Sequence, residues 1–389
     1  MAKITLNENE QLILDTLNSN GKGYIVGGAV RDMLLGLQPN DTDFCTDIDY
    51  NRLKDIFKNN FPKEVGKHFG VIEIIVNNVP YEIAKLRKDK HFQSRTDTDV
   101  QFTNDILEDL SRRDFTINAI AFDGTKIITL NQLSINDLYN KIIRFVGDSD
   151  LRIIEDPLRM IRAIRFSSQK NFMIEKNTLN SITDNVELIK TVAKERIYQE
   201  LMKMLESKHN VGMMYFYKTN MLSTIFNTYS MDCRFEKMKN IIYDTSNINA
   251  RIYIFYLMVN KSNEFFKIFK VNKIEKMINM LDNAYRYLEN NKKDDVINEY
   301  HHRKIKFLTK EHYTDFIDFV KIYLPRMRFE HIGDSDAIFL NELSVDGNDL
   351  IDLVNKKDIG KTLLKLLDLV HKNQDLNNKS ILLEHAKCL

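Results

Sequence analysis

Asp41 and Asp43 stand two residues apart, and carboxylates at that spacing can hold divalent cations. Side chains alternate along a strand, so a strand over residues 41–45 sends both to one face. Crowded carboxylates repel unless cations sit between them. Oxygen-only sites suit Mg²⁺, which takes further ligands from substrate phosphates. Two such ions ~3.5–4 Å apart can activate an attacking hydroxyl and stabilise a leaving pyrophosphate. Glu82 is a candidate third carboxylate if its strand lies beside that of the aspartates. Alone, Asp-x-Asp reads more simply as a turn cap and a solvated side chain, and Glu82 as a solvated strand residue.

The residues just before the aspartates change that balance. Residues 24–26 (Tyr-Ile-Val) form a short apolar strand, then Gly27 and Gly28 allow a sharp turn and close approach of a ligand. Residues 29–35 read as a helix with Val30, Met33 and Leu34 on one side, closed by Gly36 and Pro39. A helix leaving a Gly-Gly turn offers free N–H groups to an anion, and Arg31 adds charge. Residues 106–118 read as another helix, on which Asp114 and Asn118, four apart, share a face with Arg113 at its edge. Arginine there can bind a triphosphate, and Asp with Asn can bind ribose hydroxyls; a salt-bridged surface helix explains the same pattern.

The positioning elements follow. Residues 71–76 and 79–86, split by Asn77-Asn78, read as a hairpin whose second strand begins on an edge at Pro80. Residues 85–103 are polar and aperiodic, a mobile loop. A second hairpin spans residues 119–130, and residues 142–146 read as the final strand. Beyond residue 150 strand signals nearly vanish. Asp156-Pro157 opens a helix, with proline at the first position and Asp156 as its cap. Arg159 opposes the dipole of that first turn by ~0.3–1 kcal/mol, so another interaction should use it. Asp156, Arg159, Arg162 and Arg165 form a slowly turning row.

Gly27-Gly28-Ala29-Val30-Arg31-Asp32 with Asp41-Thr42-Asp43 resembles the signature of class II CCA-adding tRNA nucleotidyltransferases and bacterial poly(A) polymerases. Arg112-Arg113-Asp114-Phe115-Thr116-Ile117-Asn118-Ala119, the run from Glu155 to Phe166, and Glu195-Arg196-Ile197 with Glu200-Leu201 continue the likeness over about the first 205 residues. The resemblance implies an α+β chain: a small mixed-sheet nucleotidyltransferase head (1–150), a helical neck (151–212), a helical body (213–300) and a helical, tRNA-binding tail (301–389). It implies template-independent addition of C, C and A to the tRNA 3′ end from CTP and ATP, releasing pyrophosphate. Asp41 and Asp43 would bind Mg²⁺, with Glu82 at the matching acidic position. Gly27, Gly28, Arg31 and Arg113 would hold triphosphate, Asp114 and Asn118 ribose, and Asp156 with Arg159 the base. Arg162 and Arg165 would steady that pair or the triphosphate.

The base-reading role has a physical basis. Cytosine and adenine each present an amino donor beside a ring acceptor; uracil and guanine present the reverse. A carboxylate next to a guanidinium complements the first pair and is left unpaired by the second, at roughly 1–3 kcal/mol per buried mismatch. The chain departs from the family in its loop, where Arg95-Thr96-Asp97 replaces an Arg-Arg-Pro step. A CC-adding partner enzyme, an A-adding enzyme or poly(A) polymerase, and an RNA-binding protein with an inactive head are the alternatives. The tail stretches Glu330-His331-Ile332-Gly333 and Leu343 to Leu350 resemble the family more loosely. Lys356, Lys357 and Lys361 offer a patch for RNA phosphates, and a solvated charged turn explains them equally well.

Composition neither adds to nor opposes this. With 56 basic and 55 acidic residues in 389, net charge does not point to nucleic acid, so any RNA contact is local. No apolar run is long enough for a membrane span, and residues 1–6 lack a signal-peptide layout. Cys45, Cys233 and Cys388 are odd in number and far apart, reading as reduced thiols of a cytoplasmic protein. His301-His302 reads as solvated surface, and aromatics such as Tyr253 and Phe255 as core. Monomer and homodimer both stay open.

Overall fold

The computed structural model describes residues 4–66, 69–88, 101–228, 238–292 and 295–389. It divides into two compact units, Met1–Ile225 and Phe226–Leu389. The class is α+β. Residues 1–150 and 151–212, distinct in sequence as sheet-bearing and helical, both fall inside the first unit.

The first unit opens with α1 (Glu8–Asn20), β1 (Gly23–Val26), α2 (Gly28–Leu34), β2 (Asp43–Thr46) and α3 (Tyr50–Ile56). Next come β3 (Lys63–Gly66), β4 (Val71–Val76), β5 (Val79–Lys85), β6 (Arg87–Lys88), β7 (Gln101–Phe102) and α4 (Ile106–Ser111). Then follow β8 (Ile120–Phe122), β9 (Ile127–Thr129), α5 (Leu133–Tyr139), β10 (Ile142–Ile143), α6 (Ser149–Glu155) and α7 (Leu158–Lys170). β11 (Met173–Ile174), α8 (Lys176–Asp184), α9 (Lys194–Leu205) and α10 (Val211–Lys218) complete the set used below. Seven strands form one sheet in the order β3-β4-β5-β2-β1-β8-β9. Only β2 and β5 run parallel, which makes the sheet mixed.

The β4–β5 hairpin turns through Asn77 and Asn78, both with positive φ, the backbone that matches the twist of its flanking strands. Pro80 pairs with Ile75 on β4, while the β2 ladder starts further on, at Ile83. Its missing N–H therefore costs no bond on that side. Tyr24, Val26, Cys45, Ala119 and Ala121 pack with Ile106 and Leu110 as a core under the sheet's centre.

Three local expectations change. Residues 106–118 are not one helix. α4 stops at Ser111 and a 3-10 turn covers Thr116–Asn118, with Phe115 extended between them. Burial of Phe115, stacked on Phe145 at 5.3 Å, and the Thr116 N–H bonded to Arg144 O at 2.9 Å draw the backbone out of the helix. Residues 142–146 do not close the main sheet, because β10 pairs in parallel with β11. Asp41 precedes the strand, since β2 begins at Asp43. The loop expected over residues 85–103 lies largely outside the described residues, including Arg95-Thr96-Asp97. Its described ends pair as β6 and β7. Cys45 and Cys388 are free thiols, and Cys233 is outside the described residues.

Among the described residues the second unit is helical apart from one short parallel strand pair, Val296–Ile297 with Arg328–Phe329. Phe265 and Phe269 stack at 4.2 Å and Tyr253 meets Phe319 edge-on at 4.8 Å, so the aromatics are core. A smaller core gathers Leu350, Leu366, Val370 and Leu382 near the C-terminus. His302 is not solvated: it is buried, its Nδ1 lies 2.6 Å from Glu330 O and its Nε2 meets the Tyr313 hydroxyl. Burial lowers its pKa, which suits a neutral ring. Asp349 lies in a 3-10 turn, Asn348–Leu350, paired with Lys379. Lys356, Lys357 and Lys361 are exposed. No helix among the described residues is long and apolar enough to cross a membrane.

Candidate active site

Gly27 joins β1 to α2 with φ +70°, a conformation that disfavours a side chain. A Cβ there would also lie 2.8 Å from an Arg113 nitrogen, so glycine lets that guanidinium close over the turn. Beside it, α2 presents Arg31. Its Nη1 donates to Asn118 Oδ1 at 2.6 Å, and its Nε and Nη2 donate to the two Asp32 carboxylate oxygens at 2.9 Å each. Lys170, the last residue of α7, donates to Asp32 as well, at 2.8 Å. Burial raises the Asp32 carboxyl, but Arg31 and Lys170 outweigh it and hold the group below the usual range.

Arg113 and Arg112 share one anchor. Fully buried Asp109 accepts from Arg113 Nη2 at 3.0 Å and from Arg112 Nη2 at 2.7 Å. Burial alone would raise its carboxyl; the two guanidiniums keep it low and ionised. The Cys45 thiol, 3.8 Å from Arg113, is pushed up to about 12, chiefly by burial, so it stays neutral.

Asp114 and Asn118 meet despite the broken helix: Asn118 Nδ2 donates to Asp114 Oδ1 at 3.1 Å. Arg162 Nε donates to Asp114 Oδ2 at 3.0 Å. Arg165 pairs with buried Glu200 of α9 at 2.5 Å and lies over the Phe166 ring at 3.7 Å.

Asp156 is extended and closes α6; Pro157, not Asp156, holds the cap position of α7, but Asp156 Oδ1 still accepts the Leu158 N–H at 3.2 Å. Its oxygens also accept from Arg196 at 2.9 and 3.3 Å. The Arg159 N–H donates to the Asp156 carbonyl at 3.0 Å, but its guanidinium does not reach the Asp156 carboxylate. Its Nη1 donates to Glu155 at 2.6 Å and to Arg152 O at 3.0 Å, and its Nη2 to Arg112 O at 3.3 Å. The Glu155 carboxylate supplies the counter-charge that the first-turn arginine required.

Many of these groups line one cavity of about 840 Å³, while Asp109, Glu155 and Glu200 stand behind its wall. Twelve of the thirteen residues singled out in the sequence are in its wall: Gly27, Gly28, Arg31, Asp41, Asp43, Arg113, Asp114, Asn118, Asp156, Arg159, Arg162 and Arg165. Glu82 is not in the wall. It sits on β5, beside β2, one residue before the Ile83–Phe44 pairing, so it neighbours Asp43. Burial first, then repulsion from Asp41 and Glu82, raises the Asp43 carboxyl against the pull of Arg113. Asp43 keeps solvent contact through the cavity while protein crowds its other sides. A carboxylate made uncomfortable by its own kind is what an oxygen-binding dication relieves, so Asp41 and Asp43 fit such an ion.

Nine cationic and five acidic side chains face this space. Sequence reasoning gave no role to Asp32, Arg87, Arg112, Lys170 or Lys203. Lys170 follows the Arg159–Arg162–Arg165 row by five residues, a detectable signal, but its Asp32 partner is 138 residues away.

A model described as the poly A polymerase head domain matches residues 23–144. One described as the probable RNA and SrmB-binding site of polymerase A matches residues 171–230. The CCA-adding enzyme of Oceanobacillus iheyensis is 33% identical over 97% of this chain and 96% of its own length. The chain belongs to the CCA-adding enzyme family. It is a nucleotidyltransferase. The Lactobacillus helveticus family member is 40% identical over 51% of this chain and 50% of its own. In fold, the chain matches the Bacillus stearothermophilus CCA-adding enzyme in complex with CTP, with TM-score 0.79 and 22% identity over 98% of this chain and 99% of that one. The Thermotoga maritima family member, complexed with tRNA_CCA, gives 0.65 at 20% identity over 99% and 96%.

Proposed function

We propose that this chain adds C, C and A to the 3′ end of tRNA without a template, taking CTP and ATP and releasing pyrophosphate. The observation that carries this is one cavity walled by two crowded aspartates, a glycine turn under Arg113, and the Asp156 carboxylate with a nearby guanidinium. The cationic excess of that wall suits a triphosphate. Relatives captured with CTP and with tRNA_CCA support the same substrates.

In this reading Gly27, Gly28, Arg31 and Arg113 hold the triphosphate, and Asp114 with Asn118 the ribose. Asp41 and Asp43 hold Mg²⁺, with Glu82 behind Asp43. When bound, the metal supplies positive charge to the attacking 3′-hydroxyl and the leaving pyrophosphate. Asp109 fixes where Arg113 points, so the phosphates are met by a guanidinium that need not reorganise. Asp156 and Arg159 read the base separately rather than as a bonded couple. Three of the five Arg159 N–H groups go to Glu155, Arg152 and Arg112, leaving two toward a base. Arg162 and Arg165 steady the row through Asp114 and Glu200. The helical half grips the tRNA, and the cytoplasm is where tRNA and nucleotides meet it.

The test is incubation with tRNA lacking its last three nucleotides, giving CTP and ATP singly and together, then sequencing the ends. Complete CCA ends only when both are present is the expected result. Ends carrying CC alone, or A runs alone, overturn the proposal in favour of a CC-adding or an A-adding enzyme.

A further inference from the structure

Thr42 lies between the two aspartates and turns the other way. Asp41 and Asp43 face the cavity; Thr42 is buried and absent from its wall. Its hydroxyl donates to Glu10 Oε1 on α1 at 2.7 Å. Glu10 is itself buried at 4% exposure, and its other oxygen accepts the Asn7 N–H at 2.9 Å. The Asn7 side chain returns a bond to the Glu10 N–H at 2.9 Å, closing a capping box at the start of α1. One carboxylate thus ties a helix end to the residue between the two aspartates, across 32 positions of chain.

The link sits between α2 and the start of the β2 ladder. Leu37 donates its N–H to Asp32 O at 2.8 Å, and the β2 ladder begins at Asp43. Asp41 lies outside that ladder, so its direction is not set by strand pairing. Its neighbour Thr42 supplies a fixed point: that side chain is pinned inward on Glu10, and the residues on either side of it both face the cavity.

We propose that Glu10, acting through Thr42, is a positioning residue that keeps Asp41 and Asp43 converged for the divalent cation. The proposal rests on the assignment of those aspartates as the metal ligands. Groups that orient ligands from behind typically change metal affinity about 10–100-fold. Thr42 orients backbone rather than the ligand atoms themselves, so the lower end applies.

Thr42→Val keeps shape and removes the hydroxyl, so it spares the packing. Mn²⁺ affinity of the nucleotide-free protein, titrated by electron paramagnetic resonance, should weaken about tenfold. kcat should fall while KM for CTP stays near its original value, and Thr42→Ser should restore both. Glu10→Gln combined with Thr42→Val should weaken Mn²⁺ no further than Thr42→Val alone, because the link is already cut. Unchanged Mn²⁺ affinity in Thr42→Val, with an unchanged melting temperature, overturns the positioning role. An affinity lost in proportion to a lowered melting temperature, and not restored by serine, also overturns it, as a purely structural effect. Asp43→Asn is the separate control: if it binds Mn²⁺ as the unaltered protein does, the ligand assignment fails, whatever Thr42→Val shows.

Discussion

Asp43 in the first unit and Asp368 in the second are displaced in opposite directions. Partial burial pushes Asp368 up, but hydrogen bonds from Lys304 and Lys372 win and hold it at about 2. The Tyr300 hydroxyl adds a third donor at 3.0 Å. Asp43 has burial and two carboxylate neighbours against it, with Arg113 the cation acting in its favour. The second unit neutralises its buried ions internally: Arg303 meets Glu299, Asp336 and the His371 carbonyl, and Asp282 meets Lys261, Arg286 and Tyr253. The first leaves a cavity with cations in excess and a pair of aspartates unmatched. That unmatched charge is what the proposed metal and triphosphate would complete.

The largest test of that contrast removes an aspartate. Asp41→Ala should cut nucleotide incorporation by about a thousandfold, since a lost metal ligand removes several kcal/mol of transition-state stabilisation. tRNA binding, followed by gel shift, should stay within about twofold. Turnover close to that of the unaltered enzyme would remove the metal assignment.

Stability should separate the units next. Arg165 and Glu200 are both buried and paired. Glu200→Ala leaves Arg165 without its counter-charge and should cost ~3–5 kcal/mol in urea unfolding. Asp368→Ala breaks pairs that keep solvent contact and should cost ~0–1 kcal/mol. Equal losses would mean that the Arg165–Glu200 pair is no more deeply committed than the partly exposed pairs of Asp368. The Asp368 contribution also has a pH signature. Its folded pKa is depressed, so its stabilisation is complete above the ordinary carboxylate value near ~4 and is lost as pH falls toward about 2.

Arg159→Ala should then relax selection. Losing a donor matched to cytosine and adenine should shrink discrimination against UTP and GTP by about 10–100-fold, equivalent to ~1–3 kcal/mol. Competition assays with all four nucleotides measure it. A uniform fall in all four rates would assign Arg159 to structure alone, through its Glu155 and Arg112 contacts.

The same contrast explains what the sequence disclosed. Gly27, Asp41, Asp43, Arg113 and Asp156 were legible through the family resemblance of the stretches that carry them, and one cavity wall gathers all five. Asp114 and Asn118 were brought together by the wrong route: helical spacing put them on one face, yet the chain leaves the helix at Arg112 and they meet through a tertiary turn. Phe115 burial decides that, and no local pattern reports it. Glu155, adjacent to Asp156, was not assigned as the Arg159 partner, although its i,i+4 spacing allowed it. The Asp32–Lys170 pair and the Thr42–Glu10 link join distant residues, so neither has a signature in sequence. In the second unit, His302 read as surface because a helix of mixed polarity hides which face packs. Both matching family models end by residue 230.

The smallest effect is the sharpest on sign. Asp43 has a raised folded pKa, so its ionised form costs the folded state stability. That cost is present in full above the folded pKa and disappears as pH falls through it and the carboxyl takes up its proton. Asp43→Asn removes the cost. In a chelator-containing buffer the variant should therefore melt above the unaltered protein at neutral pH, with the gap closing in the acid range. Adding a divalent cation should invert the order, because the ion stabilises only the form that binds it. A variant that melts lower at neutral pH without metal would mean that Asp43 is satisfied by the protein after all, as Asp368 is, and the cavity would then hold nothing in reserve.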